Sequence, residues 1–125
     1  MANEEQLKIL RQGVEVWNEW RKENPQIQFM DLRKSNLMGA NLFGVNLFGA
    51  DLTEANLSGA DLRKSGLQRT KLAYADLSKA KILWADLEYA CLYKADLMKA
   101  EALKGMTEEQ ILAAAAERSP EVGRK

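Results

Sequence analysis

Large aliphatic residues return at every fifth position through the middle of this chain, from Leu32, Leu37 and Leu42 onward to Leu92 and Leu97, with Ile82 standing in once. Two positions before each stands a small residue, as at Ser35, Ala40, Ala50, Ala55 and Ala60. The position directly before the leucine is mostly Asp or Asn, as at Asp31, Asn36, Asn41, Asp51 and Asn56. A five-residue step turns an α-helix by about 140°, which would spiral the leucines around its whole surface. In a plain strand, successive leucines would alternate between faces. A chain that bends once per repeat keeps the column inside, and its coils stack about 4.8 Å apart through backbone hydrogen bonds.

The flanks follow a different rhythm. Over residues 3–24 the apolar positions Leu7, Leu10, Val14 and Trp17, with Ile9, Gly13, Val16 and Trp20 beside them, predict one helix with a broad buried face. Asn3 is its expected cap, with Gln6 at capping-box spacing, and Asn24–Pro25 its stop. Solenoid ends need covering, so Trp17 and Trp20 are read as a cap over the first coil. A second, shorter helix is expected at 107–119, opening on Thr107 and Gln110 and carrying only Ile111 and Leu112 as large apolar residues.

The runs ANLFG, ADLTE, ANLSG and ADLRK resemble the A(D/N)LXX signature of the pentapeptide-repeat family, and EVWNEWRKENP resembles the helical cap of its small bacterial, cyanobacterial-type members. The resemblance implies a mainly β fold: a right-handed quadrilateral β-helix, a pentapeptide-repeat solenoid of about four coils. Its parts are an N-terminal capping α-helix in residues 1–26, the repeats in 27–104, and a short C-terminal α-helix and tail in 105–125. Gly66, Lys71, Lys81 and Cys91 depart from the Asp/Asn rule, and Ala102 from the aliphatic column, all in the second half.

With 18 Lys plus Arg against 18 Asp plus Glu, the formal net charge is zero. The repeats hold nine acids and eleven bases between residues 27 and 106. Some family members mimic a DNA duplex and protect a topoisomerase; that alternative requires a strongly negative side and is disfavoured here. The chain has no histidine and a single cysteine, Cys91, which removes the commonest general base and any thiolate metal cluster. No phosphate-cradling glycine motif is present. We therefore expect no enzymatic activity, no cofactor, no metal and no small-molecule substrate.

The acidic start MANEEQLKILRQ lacks the pattern of a secretory signal, and no run approaches the roughly 18 apolar residues of a membrane span. A cytoplasmic location is expected, with nucleic acid and membrane disfavoured as partners. The function expected is that of a rigid structural and protein-interaction module of unassigned biochemical role. Its expected partner or self-association surface comprises Leu83, Trp84, Tyr89, Tyr93, Leu103, Ile111 and Leu112. The resemblance adds a homodimer through the C-terminal end.

Overall fold

The computed structural model describes residues 2–101; the expected helix at 107–119 lies outside the described residues. Two helices open the chain, α1 at Glu4–Arg11 and α2 at Val14–Glu23. The single helix expected over 3–24 is thus two, because Gly13 adopts φ 126° and ψ 163°, where only glycine sits without strain. Asn3 caps α1 as expected, its Oδ1 accepting from the Gln6 N–H at 3.1 Å. Gln6 does not complete a capping box. Its side chain reaches Asp31 N and Phe29 O instead.

The mainly β expectation is corrected. Among the described residues α1 and α2 are the regular elements, and the repeats form no strand or sheet, so the chain is not the expected β-helix solenoid. The repeat itself explains this. Each one gives a single residue to an isolated parallel bridge and then turns, so pairing never runs over the consecutive residues that a strand requires.

The bridges link residues twenty apart: Asp31 to Asp51 to Lys71 to Cys91, and likewise Asn36 to Asn56 to Asp76 to Asp96. Around a typical bridge, Leu57 N donates to Asp76 O at 2.7 Å and Asp76 N donates to Ala55 O at 2.9 Å. Between bridges the chain makes a tight turn. Ala60 N donates to Leu57 O at 3.0 Å, and residue 59 has positive φ, the arrangement of a type II turn. The Asp or Asn before each leucine steadies the turn. Its Oδ1 accepts from the N–H two residues on: Asn56 from Ser58 at 3.0 Å and Asp76 from Ser78 at 2.9 Å.

This geometry sends the leucine and the small residue inward. Leu32, Leu47, Leu52, Leu57, Leu62 and Leu72 are fully buried, and Ala50, Ala60 and Ala80 with them. Where the small position is polar, the hydroxyl is satisfied at once: Ser35, Ser65 and Thr70 each donate to the carbonyl three residues back, at 2.6–2.7 Å.

The helices close the first coil by meeting its open backbone groups. Asn3 N donates to Asp31 O at 2.6 Å, and Asp31 N donates to Gln6 Oε1 at 2.9 Å. Arg11 donates to Asn36 O, while Asn46 gives its N–H to Asn18 Oδ1 and takes the Trp17 Nε1–H at 2.7 Å. A buried or edge backbone group without a partner is costly, and this is how the stack is terminated.

Positive φ recurs two residues after each leucine. Gly39, Gly44, Gly49 and Gly59 hold it in the first half beside Lys34 and Glu54; Lys64, Arg69, Tyr74, Lys79, Trp84 and Tyr89 hold it later at φ 58–61°. A β-branched side chain there meets the following carbonyl. Lys79→Val is expected to be about 1–2 kcal/mol less stable than Lys79→Gly in urea unfolding. Equal midpoints would contradict the turn.

Candidate interaction surface

Two outward positions follow each leucine, and the twenty-residue period stacks them in columns. Lys64 lies one coil before Trp84, and its Nζ stands 5.3 Å from the centroid of that ring. The same ammonium is 5.9 Å from the Phe43 ring, so it sits between an aromatic of the coil before and one of the coil after. Arg63 also covers Phe43, at 5.3 Å. On the neighbouring corner Arg69 covers Tyr89 at 5.1 Å, again twenty residues apart. A cation over a ring is attracted by its quadrupole, typically by about 0.5–1 kcal/mol at exposed sites.

Trp84 nevertheless keeps 61% of its surface in solvent and Tyr89 keeps 50%. Leu83, directly before Trp84, is half-buried. Tyr93 belongs to a further side, packed edge-on against Tyr74 with centroids 5.7 Å apart and with Lys94 at 5.5 Å. The structure thus sets Leu83 and Trp84 on one turn and Tyr89 on the turn of the next repeat, and pairs Tyr93 with Tyr74. Leu103, Ile111 and Leu112 lie outside the described residues. The cations over Trp84 and Tyr89, missed in the sequence reading, had a signal there: Lys64 and Arg69 each stand twenty residues before the aromatic they cover. Phe43 and Phe48 stay 43% and 45% exposed.

The ionisable groups nearby are structural. Arg33 grips Asp31 through its Nε and Nη2 at 2.8–2.9 Å and holds its carboxyl down to about 2. Arg63 grips Asp61 in the same way at 2.7–2.9 Å and lowers it too. A depressed carboxyl stabilises the fold above its unfolded value of 3.8 and loses that contribution as pH falls towards about 2. Asp31→Asn is therefore expected to flatten the acid limb of stability between about pH 4 and pH 2. The effect is modest, because solvent screens so exposed a pair. An unchanged limb would contradict the assignment. Elsewhere Lys34 meets Glu54 at 3.5 Å.

Among the described residues no group of three or more Asp, Glu, Cys or His side chains could hold a metal ion, and no helix is long and apolar enough to cross a membrane.

The pattern of repeats defines the class of protein. The description "Pentapeptide repeats" matches in eight copies, over residues 26–59, 40–73, 50–87 and 65–101. The chain belongs to the pentapeptide-repeat family, whose members are generally non-catalytic structural and interaction modules. It is similar to the pentapeptide repeat protein alr5209 from Nostoc PCC 7120, at 29% identity over 78% of this chain and 90% of that one, with a TM-score of 0.51. HetL from Nostoc sp. strain PCC 7120, described as involved in heterocyst differentiation regulation, is 34% identical over 58% of this chain and 38% of its own, with a TM-score of 0.31. Rfr23 from Cyanothece 51142 is 26% identical over 60% of this chain and 61% of its own, with a TM-score of 0.38. No curated protein matches.

Proposed function

We propose that this chain works as a rigid protein-interaction module, and that its working surface is the corner pair Lys64–Trp84 and Arg69–Tyr89 with Leu83. One observation carries the reading. Trp84 and Tyr89 occupy turn positions with φ 61°, where the backbone favours glycine, and present their rings to solvent. The turn does not need them, since Gly44 and Gly49 fill the equivalent places two coils earlier. Each ring is contacted by a cation yet leaves half or more of its surface in solvent, and exposed aromatics held in a fixed place form a surface that a partner can use. Rigidity adds to this, because side chains fixed by a packed stack lose little freedom on binding. The setting is cytoplasmic in this reading, and the partner is a protein, a second copy included.

The test is affinity capture with wild-type protein beside Trp84→Ala and Met38→Ala, Met38 being an exposed residue of another side. We expect a specific partner whose recovery falls at least about tenfold with Trp84→Ala, the loss of one anchor, and is unchanged with Met38→Ala. Equal recovery from all three would overturn the surface. Light scattering on the same samples separates a foreign partner from a second copy, for which the mass would be about twice 14.1 kDa.

A further inference from the structure

The outward side of the helical cap carries a surface that the fold uses only in part: Ile9 and Trp20 are half-buried against the core, while Val16 and the acids beside it stay exposed. Helix α2 turns Trp17 and Asn18 towards the first coil, where both are hydrogen-bonded. A flank of α2, with Ile9 of α1, lines a shallow groove of about 570 Å³, with Ile9, Val16 and Trp20 as floor and Glu15, Glu19 and Glu23 as rim. Val16 is 43% exposed, and Trp20 is braced from behind by the Trp17 ring at 5.0 Å. The three acids stand at i, i+4 and i+8 on one helix, a spacing at which like charges repel. Among the described residues none of the three makes an ion pair. Glu15 suits the first turn of α2, but Glu19 and Glu23 lie beyond it and repel each other.

We propose that this groove docks a basic amphipathic helical segment of a partner protein. Apolar side chains of the segment would lie on Ile9, Val16 and Trp20, and its Lys or Arg residues, repeating every fourth position, would face Glu15, Glu19 and Glu23. The charge pattern selects this occupant. An anionic membrane or a nucleic acid would be repelled by the rim, and an acidic peptide likewise. The surface lies apart from Trp84 and Tyr89, so the module would hold two partners, or two parts of one.

The probe is a fluorescein-labelled peptide of about fourteen residues, with Lys at i, i+4 and i+8 and Leu on the adjoining stripe, against a scrambled peptide of equal composition. Anisotropy titrations are expected to show the designed peptide bound at least about tenfold more tightly than the scramble, and more weakly as salt rises. Glu19→Lys should weaken it at least about tenfold, and Val16→Ser should weaken it too at any salt. Trp84→Ala should leave it unchanged. Circular dichroism checks that each variant keeps its helices, with Glu19→Gln as the milder substitute should the lysine disturb α2. Equal binding of the scramble would reduce the effect to bulk charge and overturn the proposal, as would unaltered binding to Glu19→Lys or Glu19→Gln. A doubled solution mass without peptide, abolished by Glu19→Lys, would give the groove to a second copy and overturn the foreign segment.

Discussion

Leu57→Ala lowers the stability of this protein by about 2–5 kcal/mol, a large share of what a domain of this size possesses. Leu57 is fully buried in the middle of the stack, with Leu37 one coil below and Leu77 one coil above in the same column. Its own N–H is tied to Asp76 O at 2.7 Å and its carbonyl to Ala60 N at 3.0 Å, so the backbone cannot sink into the space left behind. The cavity therefore persists, which places the cost in the upper part of that range. One residue further, Ser58 points outward and shares its hydroxyl with Ser78 at 3.1 Å. Ser58→Ala removes one solvent-accessible hydrogen bond and costs about 1 kcal/mol or less. Urea unfolding with unchanged slope reads both. Equal small shifts would mean that the leucine column is not the core.

Trp17→Ala is the second large effect, about 3–5 kcal/mol. No part of Trp17 reaches solvent, and its indole N–H donates to Asn46 O at 2.7 Å. The substitution opens a cavity between cap and stack and strands a carbonyl at the edge of the first coil. Trp17→Phe fills most of the volume but leaves that carbonyl without its donor, for about 1–3 kcal/mol. The two variants separate packing from edge satisfaction. Amide exchange should quicken first around residues 30–46, nearest the lost cap, before the middle of the stack responds. Uniform acceleration along the chain would contradict a local capping role.

The inward column was legible because a period of five leaves few ways to bury every leucine. The twenty-residue register was legible through the family resemblance, and the bridges from Asp31 to Asp51 and onward follow it. The β class was not, since one bridged residue per repeat carries a stacked ladder without ever making a strand. The break in the opening helix was hidden because Gly13 lies on the apolar side of the predicted stripe, where its missing side chain looked like tolerance rather than a turn at φ 126°. The acid or amide before each leucine showed as a column, but its task, accepting the N–H two residues on, belongs to the turn and not to composition. The pairing of Trp17 with Asn46, 29 residues apart, follows from how the cap lies on the coil and carries no local signal.

For the interaction surface, Trp84 and Tyr89 stood out as exposed aromatics, whereas the cations over them emerged only once the register was known. Lys64 to Trp84 and Arg69 to Tyr89 are both steps of one coil. That regularity makes the surface a property of the stack rather than of scattered side chains.

The most direct measurement of its role is site-specific photo-crosslinking in cells, with a benzophenone amino acid at position 84 in one protein and at position 38 in another. Both positions are about three-fifths exposed, at 61% and 63%, so accessibility alone does not separate them. The account predicts one discrete crosslinked protein from position 84 and none from position 38. Identical crosslink patterns from the two positions, or a clean one from position 38 alone, would contradict it.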